Sequence, residues 1–145
     1  MDKYFEAAIE EARLGLKQGG IPIGSVLVFE GKIIGRGHNM RVQNKSAILH
    51  AEMSALENAG RLSQFVYKKS TLYTTLSPCA MCSGAILLYK IPHVIIGENR
   101  NFKGEEELLG LRGVKVDVLQ DKTCILMMEE FIRTSPHLWY EDIGV

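Results

Sequence analysis

Two short segments of this chain carry side chains that form a useful site only if the fold brings them together. His50 and Glu52 lie in the first segment, and Cys79 and Cys82 lie in the second, directly after Pro78. One imidazole and two thiolates are ligands that Zn²⁺ accepts, and three protein ligands leave the fourth tetrahedral position open for water. The fold must therefore place these segments side by side around a single Zn²⁺ ion in each chain.

Both segments are predicted to begin helices. Residues 51–59 have a helix-forming composition, and Pro78 suits the first position of a second helix, over residues 79–89. Cys79 and Cys82 are three positions apart, so they share one face of the first turn. Free backbone N–H groups and the positive end of the helix favour thiolate over thiol at this place.

The other segments alternate between helical and strand-like patterns. A first helix is predicted from Asp2 to about Lys17, and two strand-like runs joined at residues 30–31 indicate a hairpin. The later strands are predicted at 70–75, 94–96 and 114–119, and the later helices at 105–109 and 121–133. A hairpin is antiparallel, whereas strands separated by helical crossovers are parallel. The sequence therefore predicts an α/β fold, a three-layer α/β/α domain with a mixed five-stranded sheet.

Length and composition indicate one globular domain over residues 1–145. Hydrophobic residues make up 46% of the chain and charged residues 23%, and there is no repeat or linker. The 17 basic and 17 acidic residues cancel, so nothing indicates a surface for a nucleic acid.

The sequence also indicates where in the cell the protein is expected. The most apolar region, residues 84–97, is interrupted by Lys90, Pro92 and His93, so no membrane span is expected. The N-terminus carries acidic residues where a secretory signal would be basic and then apolar. Only three cysteines are present, and two belong to the Cys-x-x-Cys pair, which fits metal binding in a reducing cytoplasm.

Glu52 is the candidate proton carrier. It is too close to His50 in sequence to be a comfortable second ligand from the same turn, so general acid–base work is its expected role. Three other interpretations are weaker. A closed structural zinc site needs a fourth ligand, and the spare Cys124 has the pattern of a small buried hydrophobe. A redox pair or a catalytically silent zinc module would leave Glu52 without a role.

The remaining polar candidates give weaker signals. His38, His93 and His137 are interpreted as surface or structural histidines. Asn39 follows a predicted strand, and its amide could either recognise a pyrimidine carbonyl and ring N–H or cap the turn.

Beyond the zinc motif, the chain resembles the fungal cytosine deaminases along nearly its full length. The zinc motif is shared by the whole cytidine and deoxycytidylate deaminase superfamily, while the Gly-His-Asn and Trp-Tyr-Glu-Asp segments are more specific to this branch. The matching stretches are residues 19–24, 35–41, 56–58, 71–79, 97–99, 101–103 and 141–144.

The resemblance implies a cytidine-deaminase-like fold, a homodimer, and hydrolytic deamination of the free base cytosine to uracil and ammonia in pyrimidine salvage. His50, Cys79 and Cys82 would bind zinc, and Glu52 would carry protons. The residues that would contact the base are Asn39 and Asp142 through hydrogen bonds, Ala51 and Ser77 through their backbone, and Ile23, Leu76, Phe102 and Trp139 through packing. Residues 135–145 would form a C-terminal lid, although Trp139 could instead only anchor this segment on the core.

Some positions depart from the fungal pattern, and they leave the substrate open. Ala51 stands where the fungal enzymes have glycine, Ala80 replaces an acidic residue, and Tyr140 replaces phenylalanine. Ala51 would touch the pocket and could alter substrate choice. Isocytosine, guanine or a related amino-heterocycle are alternatives, and so is a tRNA adenosine, since tRNA adenosine deaminases share the zinc motif.

Overall fold

The computed structural model describes residues 2–145, which form eight helices around a five-stranded sheet. The helices are α1 Lys3–Lys17, α2 Arg41–Asn44, α3 Ala51–Ala59, α4 Gln64–Tyr67, α5 Ala80–Tyr89, α6 Glu106–Leu111, α7 Lys122–Thr134 and α8 Pro136–Asp142. The strands are β1 Gly24–Phe29, β2 Lys32–His38, β3 Ser70–Thr74, β4 His93–Ile96 and β5 Lys115–Val118.

The sheet is mixed, as predicted. Its strand order is β2-β1-β3-β4-β5; β1 is antiparallel to β2 and β3, and β3, β4 and β5 run parallel to one another. The β1–β2 hairpin turns at Glu30 and Gly31, with φ of 48° and 75°. Positive φ at both central residues is the conformation of a two-residue turn that matches the twist of the strands.

Two apolar clusters cover the two faces of the sheet and make it three-layered. One cluster joins Leu27 and Leu72 of the sheet to Ile86 of α5 and Leu109 of α6. The other joins Val26, Val28 and Tyr73 of the sheet to Phe5, Ala8 and Ile9 of α1 and to Cys124 of α7. The alternation of side chains along β1 sends Leu27 to one face and its neighbours to the other, which requires a helical layer on each side.

Several predicted boundaries were wrong by a residue or two, and three helices, α2, α4 and α8, were not predicted. Helix α5 begins at Ala80, so Cys79 is its N-cap and Pro78 lies outside the helix instead of at its first position. The four-residue helices α2 and α4 are too short to show a hydrophobic period, and their formation depends on the loops around them. No helix within residues 2–145 is long and apolar enough to cross a membrane.

Glycine lets α3 lie directly against β2. A Cβ atom added at Gly35 would fall 2.5 Å from the backbone oxygen of Ala55 in α3. Because the obstructing atom is backbone, the helix itself would have to move. Helix α3 begins beside His50 and carries Glu52, so this close contact also sets the position of the candidate site.

We therefore expect Gly35→Ala to lower the free energy of unfolding by about 1–3 kcal/mol, the usual cost of overpacking. Gly84→Ala is the matched control, because an added Cβ meets nothing within 4 Å at this exposed position of α5. Alanine in a helix interior is favoured over glycine by up to about 1 kcal/mol, so the control should stabilise the protein. Urea unfolding would measure both, and equal midpoints for the two variants would contradict the close contact.

Candidate active site

The candidate site lies where five chain segments reach one edge of the sheet. Ile23 precedes β1, Asn39 follows β2, Leu76 and Ser77 follow β3, and Phe102 lies in the loop after β4. Because β3 and β4 are parallel, their carboxyl ends open on the same side, where α/β sheets commonly bind ligands. His50 and Cys79 are the N-caps of α3 and α5, which begin at this edge.

The fold brings the three predicted metal ligands together. Nδ1 of His50 lies 3.4 Å from Sγ of Cys79 and 3.7 Å from Sγ of Cys82, and one ligand atom from each residue lies within 4.8 Å of the others. Two sulfurs and one imidazole nitrogen suit Zn²⁺, which takes four ligands in a tetrahedron. No fourth His, Cys, Asp or Glu joins this group within residues 2–145, so the donor set leaves one position for water.

The protein groups alone already favour one thiolate beside a protonated imidazole. The hydrogen bond with Cys82, helped by His50, lowers the pKa of Cys79 to about 4. That same contact with Cys79, together with burial, raises the pKa of Cys82 far above its ordinary range. Burial works against protonation of His50, but Cys79 and the Asp142 carboxylate outweigh it and raise its pKa to about 9. In the metal-free protein the predicted preference for thiolate therefore holds for Cys79 and not for Cys82, because the hydrogen bond that the two sulfurs share stabilises only one of them as a thiolate.

Glu52 faces the same cavity from the first turn of α3. Its side chain is buried, and burial, opposed in part by His50, raises its pKa to about 7. A carboxyl group with a pKa near the working pH can both accept and donate a proton. The sequence separation of two from His50 thus places the carboxyl beside the metal ligands without making it one of them.

A small cavity collects most of the residues expected to contact a base. Phe102 and Trp139 meet edge to face in its wall, with ring centroids 6.0 Å apart. The lining residues are Ile23, His50, Glu52, Leu76, Ser77, Cys79, Phe102, Trp139, Asp142 and Ile143. Ile143 was not predicted; a sequence signal for it existed, since it follows Asp142 directly.

The loop that carries Phe102 is held by a buried carboxylate. Glu98 is fully buried and accepts hydrogen bonds from the backbone N–H groups of Arg100 and Asn101 and from the Asn101 side chain, at 2.7–2.9 Å. The hydroxyl of Ser77 also accepts from the N–H of Gly104 at 2.9 Å. Three donors satisfy the buried charge, so this loop presents Phe102 from a rigid frame.

Two predicted base-contacting residues lie outside the lining. Asn39 and Ala51 are fully buried and are not among the residues that line the cavity. The Asn39 side chain donates to Oδ1 of Asp142 at 3.0 Å and accepts from the N–H of Arg41 at 3.0 Å. Its amide therefore supports Asp142 in this structure, and direct contact of Asn39 with a base stays a prediction.

The other polar candidates have structural surroundings. Both ring nitrogens of His38 lie 2.8 Å from oxygen atoms, of Glu11 and of Gln18. His93 pairs with Asp117 at 2.7 Å on the surface of the sheet. Cys124 is buried in the apolar cluster beside α1. None of the three belongs to the cavity, in agreement with their interpretation from sequence.

Comparisons with known proteins agree with this fold and this donor set, which define a zinc-dependent deaminase. Residues 1–98 match the family described as the cytidine and deoxycytidylate deaminase zinc-binding region. The chain is 53% identical over 143 residues to a cytosine deaminase of Candida albicans, covering 98% of this chain and 95% of that protein. The chain therefore belongs to the cytidine and deoxycytidylate deaminase family.

Two further relatives show how widely the fold is shared. A tRNA-specific adenosine deaminase of Streptococcus pyogenes is 46% identical over 107 residues, covering 72% of this chain and 67% of that protein. The solved structure of a guanine deaminase from Nitrosomonas europaea has a TM-score of 0.70 and 23% identity, covering 87% of this chain and 81% of the other. The second likeness concerns the fold alone, which is the predicted cytidine-deaminase-like fold.

The family is a zinc-binding one, and His50, Cys79 and Cys82 form a possible site for this metal. We expect Cys82→Ala to lower zinc affinity more than about 100-fold. Removing a residue that only hydrogen-bonds to a zinc ligand already lowers metal affinity by about 10–100-fold, and Cys82 is predicted to be a ligand itself. Cys124→Ala removes a buried thiol away from the site and should keep its full zinc content. Metal analysis of both purified variants would measure this, and retention of zinc by the Cys82 variant would show that a different set of ligands holds the ion.

Proposed function

We propose that this protein hydrolyses free cytosine to uracil and ammonia, with a catalytic Glu52 and zinc held by His50, Cys79 and Cys82. The observation that carries the proposal is the position of helix α8. This helix brings the indole of Trp139 and the carboxylate of Asp142 to the cavity that His50, Glu52 and Cys79 also line. The near full-length similarity to the Candida cytosine deaminase includes this C-terminal region and supports the same substrate.

Proton transfer is assigned to Glu52. When bound, zinc supplies Lewis acidity that makes water nucleophilic near neutral pH. Glu52 takes a proton from the attacking water and passes it to the ring nitrogen of the base. It then takes the remaining proton of the added hydroxyl and delivers it to the amino group, which leaves as ammonia while the carbonyl of uracil forms. Its raised pKa, near 7, suits a group that must both take up and release protons.

Binding of the base is assigned to the walls of the cavity and to Asn39 and Ala51, which lie outside its lining. Asp142 accepts from the exocyclic amino group, while the Ser77 and Ala51 backbones and the Asn39 amide serve the polar edge. The apolar faces of the ring pack against Ile23, Leu76, Phe102 and Trp139. Flat apolar walls with a few placed polar groups are what a small aromatic ligand needs.

The C-terminal segment, residues 135–145, is proposed to act as a lid. Trp139 is only 4% exposed, and its ring meets the Phe102 ring edge to face in the wall of the cavity. A closed lid excludes water from the reacting base and leaves no room for a ribose, which favours a free base over a nucleoside.

A tRNA adenosine substrate is the second candidate, supported by the similarity to the streptococcal enzyme. Such a substrate must be held by its phosphates and its base flipped out. The chain has equal numbers of basic and acidic residues, and α8 covers the cavity, so both features favour the small base. The homodimer and the cytoplasmic location stay predictions, which sedimentation of the purified protein and microscopy of a tagged chain would test.

The substrate assignment is tested by ammonia release from the zinc-loaded protein. Cytosine should be turned over, with much slower reaction of isocytosine, guanine, cytidine and an anticodon stem-loop RNA. Turnover of the RNA alone would identify a tRNA deaminase. Absence of turnover on all five substrates, with zinc bound, would indicate the silent module.

Glu52→Gln should keep the zinc content of the wild type and lower kcat for cytosine by about 10²–10⁴, the usual contribution of general acid–base catalysis. The glutamine side chain has nearly the same shape as glutamate, but its amide can neither accept nor donate a proton as a base or acid near neutral pH. Steady-state kinetics and metal analysis on one preparation measure both quantities. A kcat within a few-fold of the wild type would assign the proton transfer to another group.

A further inference from the structure

The two oxygens of the Asp142 carboxylate have different surroundings. Oδ1 lies 3.0 Å from Nδ2 of Asn39, 3.4 Å from Nη1 of Arg41 and 3.5 Å from Nε2 of His50. Oδ2 accepts no hydrogen bond from residues 2–145, although Asp142 lines the cavity. One oxygen is therefore committed to the protein, and the other remains free to accept from a ligand.

Helix α8 has few polar ties to the rest of the molecule. Within residues 2–145, every side-chain hydrogen bond or ion pair from residues 136–145 ends on Asp142 or Glu141. Arg41 contacts both carboxylates, since its Nη2 also lies 3.6 Å from Oε1 of Glu141. The Glu141 side chain is 69% exposed, and such a pair contributes little, whereas the Asp142 side chain is only 2% exposed.

Arg41 is itself held in place by two hydrogen bonds to its own part of the chain. Its Nε donates to the backbone oxygen of Ala47 at 3.0 Å, and its backbone N–H donates to Oδ1 of Asn39 at 3.0 Å. The second bond turns the Asn39 amide so that its NH₂ group points to Asp142. Arg41 thus contacts the Asp142 carboxylate directly, and it also orients Asn39, the neutral hydrogen-bond partner of that carboxylate.

Arg41 can compensate the negative charge of Asp142, which the neutral side chain of Asn39 cannot do. A carboxylate buried to this degree is costly unless a cation and hydrogen bonds compensate it. Among residues 2–145, His50 is the only other side chain paired with Asp142 that can carry a positive charge, and its Nδ1 faces Sγ of Cys79. The guanidinium of Arg41 is the permanent positive charge at this carboxylate, and it comes from a different segment of the chain.

We propose that Arg41 is a positioning residue that latches the C-terminal lid, by holding Oδ1 of Asp142 so that helix α8 stays closed and Oδ2 faces the base. This inference rests on the proposed function for its kinetic consequence, but the latch itself exists without substrate. Opening of the lid requires the Arg41–Asp142 contact to break, and closing restores the orientation of the acceptor oxygen.

Trp139 allows the latch to be measured without catalysis, because it is the only tryptophan of the chain and lies on α8. In the zinc-loaded protein without substrate, Arg41→Gln should raise quenching of its fluorescence by acrylamide. The quenching of Arg41→Lys should lie between that of the wild type and that of Arg41→Gln. Lysine keeps the positive charge but lacks the planar guanidinium that reaches Ala47 and Asp142 together. Arg133→Gln is the control; Arg133 pairs with Glu130 on the exposed surface of α7 and should leave the quenching unchanged.

Asp142→Asn removes the same contact from the other side, so a double-mutant cycle identifies the partner. Asp142→Asn should raise the quenching, and adding Arg41→Gln to it should have little further effect. Equal increments in both backgrounds would overturn the proposal, because Arg41 would then act elsewhere. Unchanged quenching in Arg41→Gln and Asp142→Asn would overturn it as well, and Asp142→Asn keeps this test valid if the arginine variant does not fold.

Kinetics then connect the latch to substrate binding. Arg41→Gln should raise KM for cytosine about tenfold, the scale of one hydrogen bond to a charged group, with a smaller change in kcat and unchanged zinc content. A loss confined to kcat would contradict the positioning of Oδ2. If the wild-type protein does not turn over cytosine, the proposed substrate fails, while the quenching cycle still decides whether the latch exists.

Discussion

Three ligand atoms from two helices meet at one edge of the sheet, and the rest of the fold serves to keep them there. His50 and Cys79 cap α3 and α5, and their ligand atoms lie 3.4 Å apart. Helix caps are suitable places for thiolates because the backbone N–H groups there have no partners within the helix. The position of α3 depends in turn on Gly35, where a side chain would collide with backbone.

The Asp142 carboxylate links this metal site to the segment that covers it. It lies 3.5 Å from Nε2 of His50, whose Nδ1 faces the sulfurs, so a zinc ligand and the C-terminal helix share one acidic partner. Carboxylates commonly orient histidine ligands in this way. Oδ1 of the same carboxylate also accepts hydrogen bonds from Asn39 and Arg41. The position of α8 and the orientation of the His50 ring are therefore joined through one side chain.

Much of the fold could be predicted because the local signals were strong. The cap at Asp2, the hairpin turn at Glu30 and Gly31 and the end of α3 at Gly60 all appear where the sequence placed them. The parallel arrangement of β3, β4 and β5 followed from their helical crossovers. The short helices α2 and α4 could not be predicted, since four residues contain too little of a period to be recognised.

The sequence by itself determined the chemistry of the site, because zinc-ligand types, their spacing and a neighbouring glutamate are written in adjacent residues. It also determined the five strands and the helices α1, α3, α5, α6 and α7, through local capping, turns and apolar periods. Only the tertiary structure decided that the Asn39 amide hydrogen-bonds to Asp142 and Arg41, and that the Arg41 side chain contacts α8. The two contacts with Asp142 join residues about one hundred positions apart. Their partners are set by how the packed sheet brings distant loops to one edge, which no local pattern records.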